Sequence, residues 1–540
     1  MPLDALVTGG RVATFGGDHG FGWVEAVGVR DGRVAFAGSA IELETRADPH
    51  TIRIELEPGE IAIPGLIDAH LHLVEAAAAA EHVDLTDAVT LEDGLALLAA
   101  ANSSLPEGAW LLGAGWDQRR WGRWPTAEDL ATIAPDRPAA LWSFDHHAVW
   151  ASPTALAIAG VDASSPDPEG GVVRRFADGS PEGVLLENAA PLVTARIPDP
   201  GAVELRRLVA TMARRLVALG VVGVHDPGTF HGESVLGSLD LYAAMAEAGE
   251  LPVHVHAGIR AEDLDPAAER GLRSGDLLGP GPDGRARVGW LKLFADGTLG
   301  SQTAALLEPR AGSDDRGLFL TPPDVLRTLA ARAAEAGIAS HVHAIGDAAV
   351  RAALDALEPT AGQVRLMPRV EHAQLVQADD LGRFATAGIA ASVQPVHLRE
   401  DASTARRDWG ERAEATGYPW RSLVESGAIV AFGTDAPIEP IDPWPGIAMA
   451  VLRRDPGWGA DAPAFAPDEA LTLEQALRAA AVGPSQTARE PDRGRLVPGA
   501  RADLIVLPAS PREVAEDASR GFADVRPRLV MIDGEIAFEA

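Results

Sequence analysis

Short apolar runs rich in valine, isoleucine and leucine alternate through the middle of the chain with alanine-, leucine-, arginine- and glutamate-rich stretches of helical character. This order is typical of parallel β–α units, in which a helix follows each strand. Eight strands are predicted within residues 61–73, 220–226, 251–258, 288–297, 338–347, 366–375, 389–397 and 428–437. Eight parallel strands with intervening helices predict an α/β fold, a closed (β/α)8 TIM barrel.

The two ends of the chain have a β-rich pattern of their own. Alternating apolar positions flank Asp31-Gly32 and Asp533-Gly534, and Asp-Gly between two such runs is a strong signal for a two-residue β-hairpin. Neither end is long enough to bury a core by itself. Residues 1–62 and 490–540 are therefore predicted to combine into one small β-sandwich domain.

The interval between the first and second predicted strands, from about residue 74 to about residue 219, is far longer than one helix requires. We predict that residues 85–202 form a folded cap subdomain, which leaves 63–84 and 203–489 for the barrel. An insertion after a barrel strand is expected at the C-terminal face, where barrel active sites lie. The insertion is rich in tryptophan: Trp110, Trp116, Trp121, Trp124, Trp142 and Trp150.

The charge balance excludes several partners. The chain has 46 basic and 78 acidic residues, a formal net charge of -32, so nucleic acid and anionic membranes would be repelled. Without a long apolar run or a basic leader segment, a cytoplasmic location is expected. The expected partner is a small-molecule substrate, and a homodimer is the working expectation for the oligomeric state.

Two features of the composition bear on chemistry. Cysteine is absent, so any metal must be held by histidine or carboxylate ligands. The basic residues are 45 arginines and a single lysine, Lys292. That lysine is either an accident of an arginine-biased composition or an amine that must be able to lose its proton, which a guanidinium cannot do. Strand periodicity directs Trp290, Lys292 and Phe294 into the barrel.

Histidines recur near the ends of the predicted strands. His70 and His72 point the same way in a strand, with Asp68 one step lower on that face. Asp68 would either orient a ligand histidine or cap the strand. His341 and His343 also share a face, and His343 is preferred because it lies nearer the C-terminal end.

The sixth strand offers a choice between a histidine and a glutamate. His372 has the opposite parity to Arg369 and Glu371, so His372 and Glu371 are not expected to line the same wall, and histidine is the better ligand for a borderline metal. Asp435 ends the eighth strand. Each of these residues alone is more often structural, but their convergence at one barrel mouth favours a functional site.

Several motifs resemble those of a known family: PGLIDAHLHL, KLFADGTLGSQTAAL, HVHAIGDAAV, RVEHAQL, SVQP and GTDAPIEPIDPW. They are similar to the YtcJ-like amidohydrolase-3 branch of the amidohydrolase superfamily, which includes N-substituted formamide deformylase. The resemblance implies a binuclear site with His70, His72 and Asp435 on one metal, His343 and His372 on the other, and a carboxylated Lys292 as the bridge.

The chemistry expected of such a site is hydrolysis. Two divalent ions, with zinc as the default, would lower the pKa of a bridging water from about 15.7 towards 7. The resulting hydroxide would attack a non-peptide carbon–nitrogen bond, with Asp435 as general base and then general acid. The alternatives are hydrolysis of an ester, lactone or carbamate, or a metal-stabilised regulatory protein that has lost catalysis.

Substrate contacts are harder to place. The residues expected to touch substrate from the insertion are Trp116, Asp117 and His147. The alternative is that the tryptophans form the core of the insertion, in which case the pocket lies among the loops after the fourth and seventh strands, around Asp296 and Gln394.

Overall fold

The structure is a computed structural model. It describes residues 2–144, 148–168, 170–229, 231, 236–279, 284–459, 461–508, 513–514, 517, 522 and 525–540. The chain divides into two compact units, one formed by Met1–Ala76 with Arg206–Ala540 and the other by Ala77–Leu205.

A parallel barrel is the centre of the first unit. Its strands are Leu66–Asp68, Val221–Asp226, His254–Arg260, Ala286–Phe294, Ser340–Ala344, Arg369–His372, Ala390–Val393 and Val430–Phe432, paired in chain order. Backbone hydrogen bonds from Ala69 N to Phe432 O (2.8 Å) and from Asp435 N to His70 O (2.7 Å) connect the first strand to the eighth. The predicted TIM barrel is confirmed.

The first predicted segment is not one strand. Residues Ile61–Pro64 belong to a sheet of the chain ends, and only Leu66–Asp68 belongs to the barrel. Gly65 separates them, and a Cβ at this position would lie 2.5 Å from Val222 Cγ1. The close approach of the backbone to the second barrel strand therefore requires glycine where the chain changes sheets.

Helices follow most barrel strands and bury their apolar faces. The α-helices of the first unit that lie after residue 200 are Ala202–Ala218, which begins just before the unit boundary, Gly237–Glu247, Leu264–Glu269, Pro323–Glu335, Asp347–Leu357, Ala378–Ala387, Leu398–Trp409, Arg412–Thr416, Trp420–Glu425, Pro443–Leu452 and Leu473–Thr487. Nearer the N-terminus lie Ala40–Glu44 and Leu73–Ala79.

The chain ends form two sheets. One contains Ala5–Thr8, Ala26–Arg30, Arg33–Gly38 and Ile52–Glu55. The other contains Arg11–Ala13, Trp23–Val24, Ile61–Pro64, Leu504–Leu507, Leu529–Ile532 and Glu535–Glu539, so it joins both termini. One buried cluster includes side chains of both sheets, such as Val7 and Val506.

Both predicted hairpins are confirmed. Asp31 (φ 52°) and Gly32 (φ 72°) connect one pair of antiparallel strands, and Asp533 (φ 51°) and Gly534 (φ 81°) connect another. Two consecutive residues with positive φ are the requirement of a type I′ turn, which Asp-Gly meets at low cost.

The second unit has its own sheet and core. Its strands are Val83–Asp84, Leu111–Trp116, Ala139–Ser143, Ala148–Ala151, Gly171–Arg175 and Pro181–Glu187, and its helices are Leu91–Ser104, Gln118–Trp121, Ala127–Ala131, Pro153–Ala159 and Pro191–Thr194. Trp116 and Trp150 are completely buried, with ring centroids 6.4 Å apart. In the part of the chain that the structure describes, no helix has the length and apolar character needed to cross a membrane.

Barrel closure depends on a second glycine, and this can be tested. A Cβ at Gly433 would lie 2.5 Å from the backbone nitrogen of His70. We expect Gly433→Ala to lower the free energy of unfolding by about 1–3 kcal/mol, because the added methyl forces the first and eighth strands apart. Thermal unfolding followed by calorimetry measures the effect.

The matched control is Gly382→Ala, in the helix Ala378–Ala387, where an added Cβ meets nothing within 4 Å. This variant should gain about 0.5–1 kcal/mol from helix propensity. Equal melting temperatures for the two alanine variants would contradict the role given to Gly433.

Candidate metal centre

Six side chains converge at the C-terminal end of the barrel: His70, His72, Lys292, His343, His372 and Asp435. Asp435 Oδ1 lies 3.4 Å from Nε2 of both His70 and His72. Lys292 Nζ lies 3.2 Å from His70 Nε2. The ring of His372 lies 4.4 Å from that of His343 and 5.4 Å from that of His70, between centroids. The predicted ligands are thus brought together.

All of these residues except His70 line one cavity of about 390 Å³, a size suited to a small molecule. The residues that line it are His72, Lys292, Phe294, Thr298, Leu299, Gly300, His343, Ile345, His372, Gln374, His397, Asp401, Asp435 and Ile438. The lining residues all belong to the first unit. The cavity therefore combines a polar cluster with an apolar wall.

As expected, His372 lines the cavity and Glu371 does not, but the opposite parity does not place Glu371 outside the barrel interior. Glu371 and His372 are both buried there, Glu371 in contact with His70 and His372 beside it. The reason is the backbone: His372 (φ 70°) and Ala373 (φ 43°) are left-handed, so alternation stops at the end of the strand. Asp435 is also left-handed (φ 61°). Such conformations are costly and cluster at functional sites.

Glu371 orients one of the candidate ligands. It is fully buried, and it accepts hydrogen bonds from His70 Nδ1 (2.7 Å) and His341 Nδ1 (2.8 Å) while pairing with Arg369 (2.9 Å). Burial would raise the pKa of Glu371, but Arg369 and the two histidines hold it well below its usual range. The proton on His70 Nδ1 leaves Nε2 as an acceptor, which lies 3.2 Å from Lys292 Nζ and 3.4 Å from Asp435 Oδ1.

Asp68 fixes the backbone of a candidate ligand. Its Oδ1 accepts from the His70 backbone N–H (3.0 Å), and its Oδ2 accepts from the Thr434 hydroxyl (2.7 Å). Asp68 therefore connects the ends of the first and eighth strands. It binds the backbone of His70, whereas Glu371 binds the His70 ring. Burial raises the pKa of Asp68 to about 7.

Three histidines of the cluster, His70, His343 and His372, have a lowered pKa and are neutral at pH 7. Burial would lower the pKa of His72 as well, but Asp435 raises it. Burial and the nearby Lys292 lower the pKa of His70 to about 4 and that of His343 to about 3. Burial also lowers the pKa of Lys292 to about 8. Neutral imidazoles are the form that binds metal ions.

Sequence reasoning missed His397, Gln374 and Glu439. His397 ends a short 3₁₀ helix, Pro395–His397, and its Nε2 lies 3.2 Å from Asp435 Oδ2 while its Nδ1 lies 3.4 Å from Glu439 Oε1. The signal in the sequence that could have revealed His397 is its position just after the seventh strand. Strand parity does not apply within a 3₁₀ helix, so periodicity could not reveal its direction.

The donor set fits divalent ions. Both ring nitrogens of His372 are buried and have no hydrogen-bond partner among the described residues. The ligand atoms of His70, His372 and Asp435 lie within 4.8 Å of one another. His343 Nε2 donates to Gly297 O (3.0 Å), which leaves Nδ1 free. Imidazole with carboxylate suits zinc and similar borderline metals.

The Amidohydrolase family profile matches residues 58–538. The chain belongs to the amidohydrolase family. It is 30% identical to the putative amidohydrolase YtcJ of Bacillus subtilis, over 95% of this chain and 96% of that protein. It is 29% identical to the N-substituted formamide deformylase of Arthrobacter pascens, over 95% of each chain. The family resemblance seen in the motifs is therefore confirmed.

A solved structure supports the same assignment. An uncharacterized metal-dependent hydrolase from Pyrococcus furiosus superposes with a TM-score of 0.77 at 28% identity, covering 94% of this chain and 99% of that chain. This amidohydrolase is thus a metal-dependent hydrolase by family.

The residues predicted to contact substrate from the insertion lie within the second unit of this amidohydrolase. Trp116 is fully buried in an apolar cluster, and its indole N–H donates to Leu141 O (2.7 Å). This is the core placement held as the alternative. Asp117 caps the helix Gln118–Trp121 and pairs with Arg119 (3.0 Å). His147 lies outside the described residues.

Neither Asp296 nor Gln394 is among the residues that line the cavity. Asp296 accepts from the backbone N–H groups of Ala305, Ile345 and Gly346, so it fastens the loop after the fourth strand to the loop after the fifth. Burial raises the pKa of Asp296 to about 7. Gln394 is buried, and its amide donates to Ser392 O (3.4 Å).

The role of Glu371 gives a direct prediction. We expect Glu371→Gln to weaken zinc affinity by about 10- to 100-fold, because one amide oxygen cannot accept from both His70 and His341 and the His70 ring loses its fixed tautomer. Competition with a zinc chelator measures the affinity. Glu358→Gln, an exposed carboxylate paired with Arg383, is the matched control and should keep wild-type affinity. An unchanged affinity in Glu371→Gln would refute the orienting role.

Proposed function

We propose that this amidohydrolase hydrolyses a carbon–nitrogen bond in a small non-peptide amide or formamide-type substrate, using two metal ions. The observation that carries the proposal is the convergence of Asp435 and four imidazoles beside the single lysine of the chain: His70, His72, His343 and His372. The similarity to an N-substituted formamide deformylase supports the choice of bond.

The ions would be held by residues of this chain, with zinc as the default. His70, His72 and Asp435 would hold one, His343 and His372 the other, and a carboxylated Lys292 would bridge them. Divalent ions bound there supply a lowered pKa for water and polarisation of the substrate carbonyl.

Asp435 is placed to move the proton. Its Oδ1 faces His70 and His72, whereas its Oδ2 contacts His397. Burial would raise the pKa of Asp435, but His70, His397 and His72 hold it well below its usual range. The ionised carboxylate takes a proton from the attacking water and passes it to the leaving nitrogen, as general base and then general acid.

Lys292 supplies an amine that can become a carboxylate. A free amine adds to carbon dioxide, releases a proton and becomes a carbamate, whose two oxygens can span two ions. The burial that lowers the pKa of Lys292 to about 8 increases the fraction of free amine at neutral pH. Arginine cannot make this change.

The same residues would hydrolyse an ester, lactone or carbamate, because none of them selects the leaving atom; this is the alternative function. A regulatory protein without catalysis would not require a carboxylate held ionised within the ligand cluster. The cavity of about 390 Å³ supports a small-molecule substrate.

Metal content tests the binuclear site. We expect close to two ions per chain after zinc loading, measured by elemental analysis. His372→Ala should lose metal and activity together, because its imidazole has no substitute nearby. His50→Ala, an exposed histidine of the chain ends, should retain both. One ion per chain, or none, in the wild type would contradict the proposal.

Carboxylation of Lys292 can be observed directly, because the chain has no other lysine. Protein loaded with ¹³C-bicarbonate should show a carbamate carbon signal by NMR that disappears in Lys292→Arg, whereas any carbamate signal of the N-terminal amine remains. Activity should disappear in Lys292→Arg and in Lys292→Ala. A short carboxylic acid at high concentration should partly restore activity to Lys292→Ala by supplying the missing oxygens. A bare amine at Lys292 in zinc-loaded, active protein would refute the role.

A further inference from the structure

A buried glutamine among the residues that line the cavity has an acceptor with no partner in the described structure. Gln374 is 4% exposed and lines the cavity two residues after His372. Its Nε2 donates to Asp401 Oδ2 (3.1 Å), whereas its Oε1 is buried without a hydrogen-bond partner in the described structure. Leaving a buried carbonyl oxygen unpaired is costly, so a donor in the cavity would be strongly favoured.

The orientation of this amide is fixed by its neighbours. Asp401 Oδ2 also accepts from the Tyr418 hydroxyl (2.8 Å). An ionised carboxylate only accepts hydrogen bonds, so the amide of Gln374 must direct its NH₂ group at Asp401 and its oxygen away from it. Tyr418 itself is held by a backbone hydrogen bond from its N–H to Gln374 O (2.6 Å).

Asp401 adds a second acceptor to the same wall. It lies in the first turn of the helix Leu398–Trp409 and lines the cavity beside Gln374. Of the described residues that line the cavity, none is an arginine. Apolar side chains line the same cavity, among them Phe294, Ile345 and Ile438.

We propose that Gln374 and Asp401 form a substrate subsite for a hydrogen-bond-donating nitrogen group, either ammonium or carboxamide. The group is carried by the same molecule as the scissile amide, with an apolar spacer between them. This inference rests on the proposed function and deepens it by naming the substrate class. Water can occupy the subsite in the free enzyme, and a methyl group that displaces this water leaves both acceptors unpaired.

The test uses four formamides, HCO–NH–(CH₂)₄–X, that differ only at the far end: X is ammonium, carboxamide, methyl or carboxylate. With zinc-loaded wild-type enzyme, kcat/KM for the ammonium and carboxamide compounds should exceed that for the methyl compound by about tenfold. The carboxylate compound should be the poorest. Values for all four within about twofold would overturn the subsite.

Gln374→Met keeps the size of the side chain and removes its polar atoms, so the preference for a donor over methyl should largely disappear. Gln377→Met is the matched control: Gln377 binds Asp347 Oδ2 (2.6 Å) and does not line the cavity, so the wild-type preference should remain. A preference that survives Gln374→Met unchanged would overturn the inference.

Asp401→Asn provides a second variant, should Gln374→Met fold poorly. It removes the charge and keeps the shape, so the ammonium compound should lose more of its advantage than the carboxamide compound does. Equal retention of both preferences in this variant would also count against the subsite.

Binding of compounds that cannot be hydrolysed separates the two proposals. The corresponding methanesulfonamides, CH₃SO₂–NH–(CH₂)₄–X, are measured by calorimetry with the same proteins. If no formamide is hydrolysed but the donor compounds bind about tenfold more tightly than the methyl compound, and only with Gln374 present, the subsite stands and the proposed function fails. If the formamides are hydrolysed without preference, the function stands and the subsite fails.

Discussion

The carboxylate of Glu371 is buried inside the barrel without access to solvent. The positions of several side chains of the site depend on how this charge is compensated. Removing a carboxylate from water costs several kcal/mol unless it is fully paired. Glu371 meets this requirement with Arg369, His70 and His341, and the guanidinium of Arg369 also stacks on Trp290 at 4.0 Å. The hydrogen bond from His70 that helps to neutralise Glu371 therefore also determines which nitrogen of His70 faces the ligand cluster. The same hydrogen bonds stabilise the buried charge and fix the geometry of the site.

A left-handed backbone allows two neighbouring residues of the sixth strand, Glu371 and His372, to face the barrel interior, which regular strand geometry would not allow. Glu371 must lie within the barrel to meet His70, yet its neighbour His372 also belongs to the ligand cluster, and successive strand residues point in opposite directions. The left-handed backbone at His372 and again at Asp435 (φ 70° and 61°) turns each side chain inward just where its strand ends. Histidine and aspartate tolerate this region better than branched residues do.

The sequence predicted the eight strands, both Asp-Gly hairpins and the convergence of six residues at the barrel mouth. Regular strands leave a repeating apolar pattern in the sequence, and type I′ turns leave the Asp-Gly dipeptide. The prediction failed where the chain leaves regular structure. The direction of His372 depends on one positive φ, His397 lies in a 3₁₀ helix, and Gln374 lies in the loop beyond the sixth strand. The division of 61–73 between two sheets depends on a contact between Gly65 and Val222, which no local pattern records.

The histidines at this end of the barrel lie in two electrostatic settings: the pKa is lowered at His70 and His343 and raised at His72 and His397. His70 and His343 lie among other imidazoles and Lys292, so they remain neutral with a lone pair available. Burial would lower the pKa of His397 as well, but its hydrogen bonds to Asp435 and Glu439 raise it to about 10. A protonated imidazole has no lone pair to offer a metal. His397 donates to Asp435 Oδ2 (3.2 Å), which helps to keep Asp435 ionised at neutral pH, as the base proposed for hydrolysis requires.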